Sequence, residues 1–381
     1  METTERRALT DAVRKFAEAE LEPHAIEWDE QRHFPVDVLR RAGDLGLGGI
    51  CIGDDIGGSD LGRAESVRIF EQLARGDTTI AAYVSIHNMV VGMIDEHGTE
   101  AQRRTWLPAM TEMAELGSYC LTEPGAGSDA AALRTTARRI GDDGWVLDGV
   151  KQFISGAGTS HVYVVMARTG ESGSHGITAF LVPGDADGLS FGANERKMGW
   201  NAQPTRQVVL DGVRVDPSQV LGGEGGGFAV AMGALNGGRL NIAACSLGGA
   251  QWAVDRAVEH LRTREAFGGP LLEQQGLRFR LADAQTQLEA ARCLLFRAAD
   301  AVDAGDADAV TLCAMAKKFV TDVGFDAANT ALQMHGGYGY LAEYGIEKVV
   351  RDLRVHQILE GTNEIMQLII SRSFDTTTGA A

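Results

Sequence analysis

The sequence predicts a multi-domain α+β chain: a helical N-terminal domain (1–117), a middle β-barrel or sandwich (118–225) and a C-terminal four-helix bundle (226–381). Two observations carry that prediction. Apolar residues recur at helical spacing toward both ends, but between Ser118 and about Val220 they fall in short runs divided by Gly, Asp and Pro. No strand–helix–strand alternation appears, which argues against a doubly wound nucleotide-binding sheet.

Taken in order, Glu5 to Glu20 places Leu9, Val13, Phe16 and Ala17 at helical spacing. Pro35 stands where a helix starts, ahead of VDVLRRAGDLG. Ala64–Leu73 and Ala81–Ile94 are further helical stretches, and DDIGGSDLG is a Gly/Asp loop. The helical region ends near LPAMTEMAELG. Next come GWVLDGVKQFI, HVYVVMAR, GITAFLVPG and RQVVLDGVRV, which have strand length and are rich in β-branched and aromatic residues. From Phe228 the helical period returns in long patterns: Phe228 through AVDRAVEHLR, GLRFRLADAQTQLEAARCLLFRAADAV up to the acidic loop DAGDAD, AVTLCAMAKKFVTDVGFDAANTAL, and Arg351–Arg372. Met315 and Met334 on these patterns read as core fillers.

A formal net charge of −17 argues against nucleic acid and against an anionic membrane surface, because both require a basic face. The five cysteines include no C-x-x-C pair and read as small core residues in a reducing compartment, with no metal site. The N-terminus is a charged amphipathic pattern and no apolar run is long enough to span a bilayer, so a cytoplasmic location is expected.

Several stretches carry possible chemistry. In RDLRVHQILEGTNEIMQLIISR one helical pattern runs into Gly361 and another begins at once, with Thr362 or Asn363 available as N-cap. Between them Glu360 follows Ile358 and Leu359. Apolar neighbours can desolvate such a carboxylate and raise its pKa toward a general base's range, although a solvated turn residue reads the same way. YCLTEPGAGSD, Tyr119–Asp129, reads as a strand entering a Gly-Ser loop that can turn backbone N–H groups toward an anion, or as a plain barrel turn. KQFISGAG, Lys151–Gly158, offers close approach, the Phe153 ring and the Ser155 hydroxyl, or is a hairpin corner. In LNGGRLNIA, Gly237 and Gly238 each cost a helix about 1 kcal/mol relative to Ala, so either the backbone is approached closely there or the helix kinks; Arg239 beside them could pair with phosphate. TREAFGGPLLEQQ and ALQMHGGYGYL complete the set, with His335 reading as a structural hydrogen-bonder.

Together and in this order, TEPGAGSD, K-x-F-I-S-G-A-G, R-x-x-F-G, Q-M-H-G-G-Y-G-Y and E-G-T-N-E resemble the acyl-CoA dehydrogenase family over nearly the whole chain. The resemblance implies FAD held between the β domain and the helical bundle. It implies cofactor contacts at Tyr119, Cys120, Leu121, Thr122, Gly127, Ser128, Phe153, Ile154 and Ser155, and at Thr362, Asn363 and Glu364. Arg264, Phe267, Gln274, Gln275, Gln333, Met334, His335, Gly336 and Gly337 match family residues near the FAD of a neighbouring subunit, which implies a homo-oligomer, a tetramer built as a dimer of dimers. Ser128, Asn236, Gly237, Gly238, Arg239 and Arg372 match acyl-CoA contacts. Many members carry Trp where this chain has Phe153.

Glu360 matches the family's catalytic carboxylate. Some members place the base at the position of Gly238, where glycine cannot serve. The implied reaction is α,β-dehydrogenation of a short branched acyl-CoA, isobutyryl-CoA to methacrylyl-CoA, with an electron-transferring flavoprotein as acceptor. Alternatives are the same chemistry on 2-methylbutyryl-CoA or another short chain, an oxidase using dioxygen, and a non-catalytic flavin-bearing relative.

Overall fold

The computed structural model describes residues 3–171 and 173–376. Helix α1 (Thr3–Phe16) turns Val13 and Phe16 inward and continues into a wider turn, Ala17–Leu21, that buries Ala17 and Leu21. Helix α2 (Ala25–Gln31), which the periodicity does not single out, buries Trp28. Helix α3 (Val36–Asp44) starts directly after Pro35 and buries Val38, Leu39 and Ala42. Helices α4 (Arg63–Gly76) and α5 (Thr78–His97) meet at Asp77, whose carboxylate accepts from Thr79 N at 2.7 Å and Ile80 N at 3.1 Å as the N-cap of α5. Helix α6 (Glu100–Thr111) opens on a reciprocal Thr99–Gln102 capping box.

The middle region is one sheet of eight strands. They are β1 (Gly117–Cys120), β2 (Thr136–Arg139), β3 (Trp145–Ser155), β4 (Val162–Arg168), β5 (Ile177–Pro183), β6 (Leu189–Phe191), β7 (Thr205–Val215) and β8 (Val220–Leu221). The order is β6-β7-β3-β2-β4-β5-β8, with β1 parallel to β4. Strand β4 shows why HVYVVMAR reads as unbroken apolar sequence. Tyr163, Val165 and Ala167 enter the core between the strands, whereas Val162, Val164 and Met166 pack with Val90 and Ile94 of α5. Both faces are covered, so neither is polar.

Helix α7 (Gly227–Thr263) has 37 residues, a rod of about 55 Å, and passes through Gly237–Gly238 as one helix with no break. It lies against α8 (Gln275–Ala304) and α9 (Ala309–His335). The fourth long pattern is divided into α10 (Ile346–His356) and α11 (Asn363–Thr376), with Glu360 in the break. Met334 is buried and Met315 partly so, as core fillers.

The cysteines are all free. Cys120, Cys245 and Cys313 are buried and Cys51 half-buried, but Cys293 is exposed, correcting the expectation of a core position: it sits on a face of α8 turned away from the bundle. Among the described residues no helix is long and apolar enough to cross a membrane, and no group of three or more His, Cys, Asp or Glu is arranged to hold a metal ion.

Candidate active site

The site is built around the break between α10 and α11. The last turn closes where Ile358 N and Leu359 N donate to Val355 O at 2.8 and 3.0 Å. The chain then reverses through two left-handed residues, Glu360 (φ 54°) and Gly361 (φ 89°). That conformation costs a non-glycine residue about 1–3 kcal/mol and persists where the surroundings hold it. Here Arg239 Nε of α7 donates to Glu360 O at 3.2 Å, Lys317 Nζ of α9 donates to Gly361 O at 2.8 Å, and Asn363 N donates to Gln357 O at 3.0 Å. Thr362 Oγ1 accepts from Ile365 N at 3.4 Å and caps α11.

Glu360 as a whole is only partly buried, but its Oε2 is shielded from water and has no hydrogen-bond partner among the described residues. Burial pushes this carboxyl up to about 7, against the opposing pull of Arg239 and then Lys317. The room it occupies is made by α7: a Cβ added at Gly238 would lie 2.5 Å from Glu360 Oε2. The paired glycines thus serve close approach, not a kink.

Glu360 lines a cavity of about 620 Å³, within the usual size for a cofactor or small-ligand site. The β domain contributes Tyr119, Leu121, Thr122, Gly127, Ser128, Phe153, Ile154 and Ser155, and α7 contributes Arg239. Phe153 reaches the cavity because the pairing of β3 with β7 slips between Lys151 and Ile154, which leaves Phe153 at φ 61° with its ring exposed. The loop after β1 is anchored from beneath. Glu123 accepts from Arg134 N at 2.6 Å, Thr135 N at 2.9 Å and the buried Lys151 Nζ at 2.8 Å.

Other lining residues carry no motif of their own. Trp200 (φ 57°) donates its backbone N–H to Asp352 at 2.6 Å and its indole N–H to His356 Nε2 at 3.3 Å. Burial drives His356 down to about 3, so it is neutral, and with Nε2 accepting, its Nδ1 donates to Ser246 Oγ at 2.6 Å. Ile86, Met89, Phe228, Met232, Leu235 and Leu359 complete an apolar wall. They lie on three separate stretches of chain, so no local signal in the sequence could have grouped them. Trp200 lies in the segment KMGWNAQPTR, residues 197–206, where nothing local marks it as a wall of the site.

The remaining expected site residues fall into separate places. Cys120 points into the sheet core, away from the cavity. Gly237 and Gly238 are buried in α7 and offer no side chain. Asn236, Arg239 and Arg372 line a second cavity of about 660 Å³ that shares Met232 and Arg239 with the first. Thr362 is a helix cap and Glu364 is exposed. Asn363 is enclosed, accepting from Lys317 Nζ at 2.9 Å and donating to Asp322 Oδ1 at 2.7 Å. Arg264, Phe267, Gln275, Gln333, Gly336 and Gly337 are exposed, Gln274 is half-buried at the start of α8, and none lines the first cavity. Met334 is core, and His335 Nδ1 donates to Ala331 O at 2.8 Å while its ring stacks on His260 at 4.6 Å. A further cavity of about 440 Å³ beside Trp252 and Lys348 holds the ion pairs of Arg256 with Glu22 at 2.6 Å and of Lys348 with Asp77 at 3.3 Å.

The first cavity fits FAD. It offers aromatic faces at Phe153 and Trp200, hydroxyls at Thr122, Ser128 and Ser155, and a buried Tyr119 Oη with no hydrogen-bond partner among the described residues.

Comparison with known proteins extends this. Residues 3–114, 118–213 and 225–374 match the N-terminal, middle and C-terminal domain families of acyl-CoA dehydrogenase. The chain is 50% identical over 358 residues to a Bos taurus protein named isobutyryl-CoA dehydrogenase, mitochondrial, covering 94% of this chain and 86% of that one. It is 48% identical over 371 residues to the Dictyostelium discoideum protein of the same name, covering 97% and 89%. Its fold superposes on butyryl-CoA dehydrogenase from Megasphaera elsdenii with a TM-score of 0.95 at 34% identity, covering 98% and 99% of the two chains.

Proposed function

The chain belongs to the acyl-CoA dehydrogenase family, and from that premise we propose that it dehydrogenates a short α-branched acyl-CoA, isobutyryl-CoA to methacrylyl-CoA, with Glu360 as the base. The family's enzymes are flavin-dependent oxidoreductases, and FAD is the cofactor. The observation that carries the assignment of Glu360 is its unpartnered, buried Oε2 on the wall of the cavity. The branched substrate is supported by the two relatives named for isobutyryl-CoA.

The step is difficult because a thioester's α-proton is very weakly acidic. Glu360 Oε2 accepts that proton and becomes a neutral acid, which a dry site tolerates better than the carboxylate. A carboxyl pushed up to about 7 is matched to neutral pH, where enough remains ionised to act. Following the family's pattern, the Glu360 backbone N–H is assigned to the thioester carbonyl oxygen, where negative charge grows as the proton leaves. The bound FAD supplies the acceptor for the β-hydrogen, which leaves with its bonding pair. Tyr119, Leu121, Thr122, Gly127, Ser128, Phe153, Ile154 and Ser155 would hold the cofactor, with Thr362, Asn363 and Glu364 beside the base. Asn236, Arg239 and Arg372 would hold the CoA moiety along the second cavity, with Ser128 inside the first. Electrons would pass to an electron-transferring flavoprotein.

Anaerobic flavin bleaching with butyryl-, isobutyryl-, 2-methylbutyryl- and isovaleryl-CoA tests the substrate, and isobutyryl-CoA is expected among the fastest. A panel in which it ranks last would move the assignment to another short acyl chain. Glu360→Gln is expected to keep the flavin spectrum while turnover falls about 1,000-fold. Substantial turnover in that variant would remove Glu360 from the role.

A further inference from the structure

Lys317 lies in the middle of α9, in a stretch that reads as ordinary helix, yet its side chain is fully buried beside the base. Its ammonium donates to Gly361 O at 2.8 Å and to Asn363 Oδ1 at 2.9 Å. Both partners are neutral oxygens. Burying an ammonium costs several kcal/mol unless a counter-charge compensates, and a neutral donor could hold the same carbonyl without that cost. The charged groups facing Lys317 are Glu360, Asp322 and Glu364 with negative sign and Arg239 with positive sign. Asp322 is already engaged by Lys318 Nζ at 2.9 Å, Gln357 Nε2 at 2.7 Å and Asn363 Nδ2 at 2.7 Å, and Glu364 is exposed. The carboxylate left for Lys317 is Glu360.

We propose that Lys317 is a positioning residue for the base: its ammonium fixes the left-handed Glu360–Gly361 turn through the Gly361 carbonyl, and its charge keeps the Glu360 carboxyl ionisable in a site closed to water. The inference rests on the reading of Glu360 as the base. Asn363 transmits the hold, since its amide ties Lys317 to Thr321 and Asp322 one turn further along α9. The dependence runs both ways. Burial lowers Lys317 to about 8, and Glu360 is the main group raising it back. Around the carboxyl stand Arg239, Lys317 and the neutral Tyr119 and Cys245, so Lys317 is one of two cations that favour its ionised form.

The test is an infrared pH titration of the Glu360 carboxyl in the holoenzyme, with the band identified by its loss in Glu360→Gln. Lys317→Met removes both hydrogen bonds and the charge; Lys317→Gln keeps a donor for Gly361 O and removes the charge alone. In both variants the midpoint is expected to move up by about 1 pH unit, and the acid limb of kcat/KM to move with it. Turnover at pH 7 is expected to fall roughly 10-fold or more in Lys317→Met and less in Lys317→Gln, which retains the hold on the turn. Lys317→Gln carries the test should Lys317→Met fail to fold. A midpoint unchanged from wild type in either folded variant overturns the inference for Lys317 and leaves the base untouched. Full turnover in Glu360→Gln overturns the base reading and the positioning role with it.

Discussion

Glu360 concentrates two costs in one residue. Its backbone is left-handed and its Oε2 is buried without a partner. The effect of the second on stability has a sign that can be worked out. An unfolded glutamate releases its proton near 4.5, whereas the folded one holds it up to about 7. Between those values the folded state binds more protons, so the stability this site contributes is present below the unfolded value and is lost as pH rises through about 7. Glu360→Gln, which cannot ionise, is therefore expected to melt above wild type at pH 8, by roughly 2–4 °C, with the gap closing toward pH 5. Differential scanning calorimetry at both pH values checks this, and a gap that widens on acidification would contradict a raised carboxyl. The charge state was not legible in the sequence. Ile358 and Leu359 suggested desolvation, but Ile358 is itself half-exposed. The burial instead involves Gly238, 122 residues earlier in the chain.

Helix α7 shows how one element divides its glycines between packing and chemistry. A Cβ at Gly248 would meet Glu71 O of α4 at 2.1 Å, backbone against backbone, where neither helix can yield. A Cβ at Gly238 would meet the end of a side chain, Glu360 Oε2 at 2.5 Å, which can swing away. The two alanine variants should therefore fail differently. Gly248→Ala is expected to lose about 1–3 kcal/mol of stability by overpacking, read as a lower Tm. Gly238→Ala gains about 1 kcal/mol of helix propensity and should fold normally, yet lose roughly 10- to 100-fold in kcat because Glu360, the proposed base, is displaced. Equal Tm values for the two variants would contradict this division. At this scale the sequence was informative. Period and length marked α7, α8, α9 and the main strands, because each buries a regular face. Helix α2 and the short strands β2, β6 and β8 escaped notice. They have few residues and are held by neighbours distant in sequence, as Asp29 of α2 is by Arg351 at 2.8 Å.

At the scale of the whole molecule, the helical, β and helical order was legible because each region has its own period, and the wall of the cavity was not, because it assembles from separate regions. What the single chain leaves over is an exposed cluster in which the Arg264 guanidinium lies 5.5 Å from the Tyr338 ring and Phe267 projects almost wholly into solvent at φ 53°. Large exposed aromatics with a left-handed backbone are a poor arrangement for a free surface and a good one for a contact. If Arg264 reaches the cofactor of a neighbouring subunit, each complete site needs Glu360 from one copy and Arg264 from another. Mixing two defective proteins distinguishes this from action within one chain. Glu360→Gln should be inactive for lack of a base, and Arg264→Ala should lose FAD while keeping its base. When the two are unfolded together and refolded with FAD, a two-fold pairing joins the intact Glu360 of one copy to the intact Arg264 of the other. Random pairing then restores roughly a quarter of wild-type sites. If Arg264 acts within its own chain, no pairing yields an intact site, and the mixture stays as inactive as its parts.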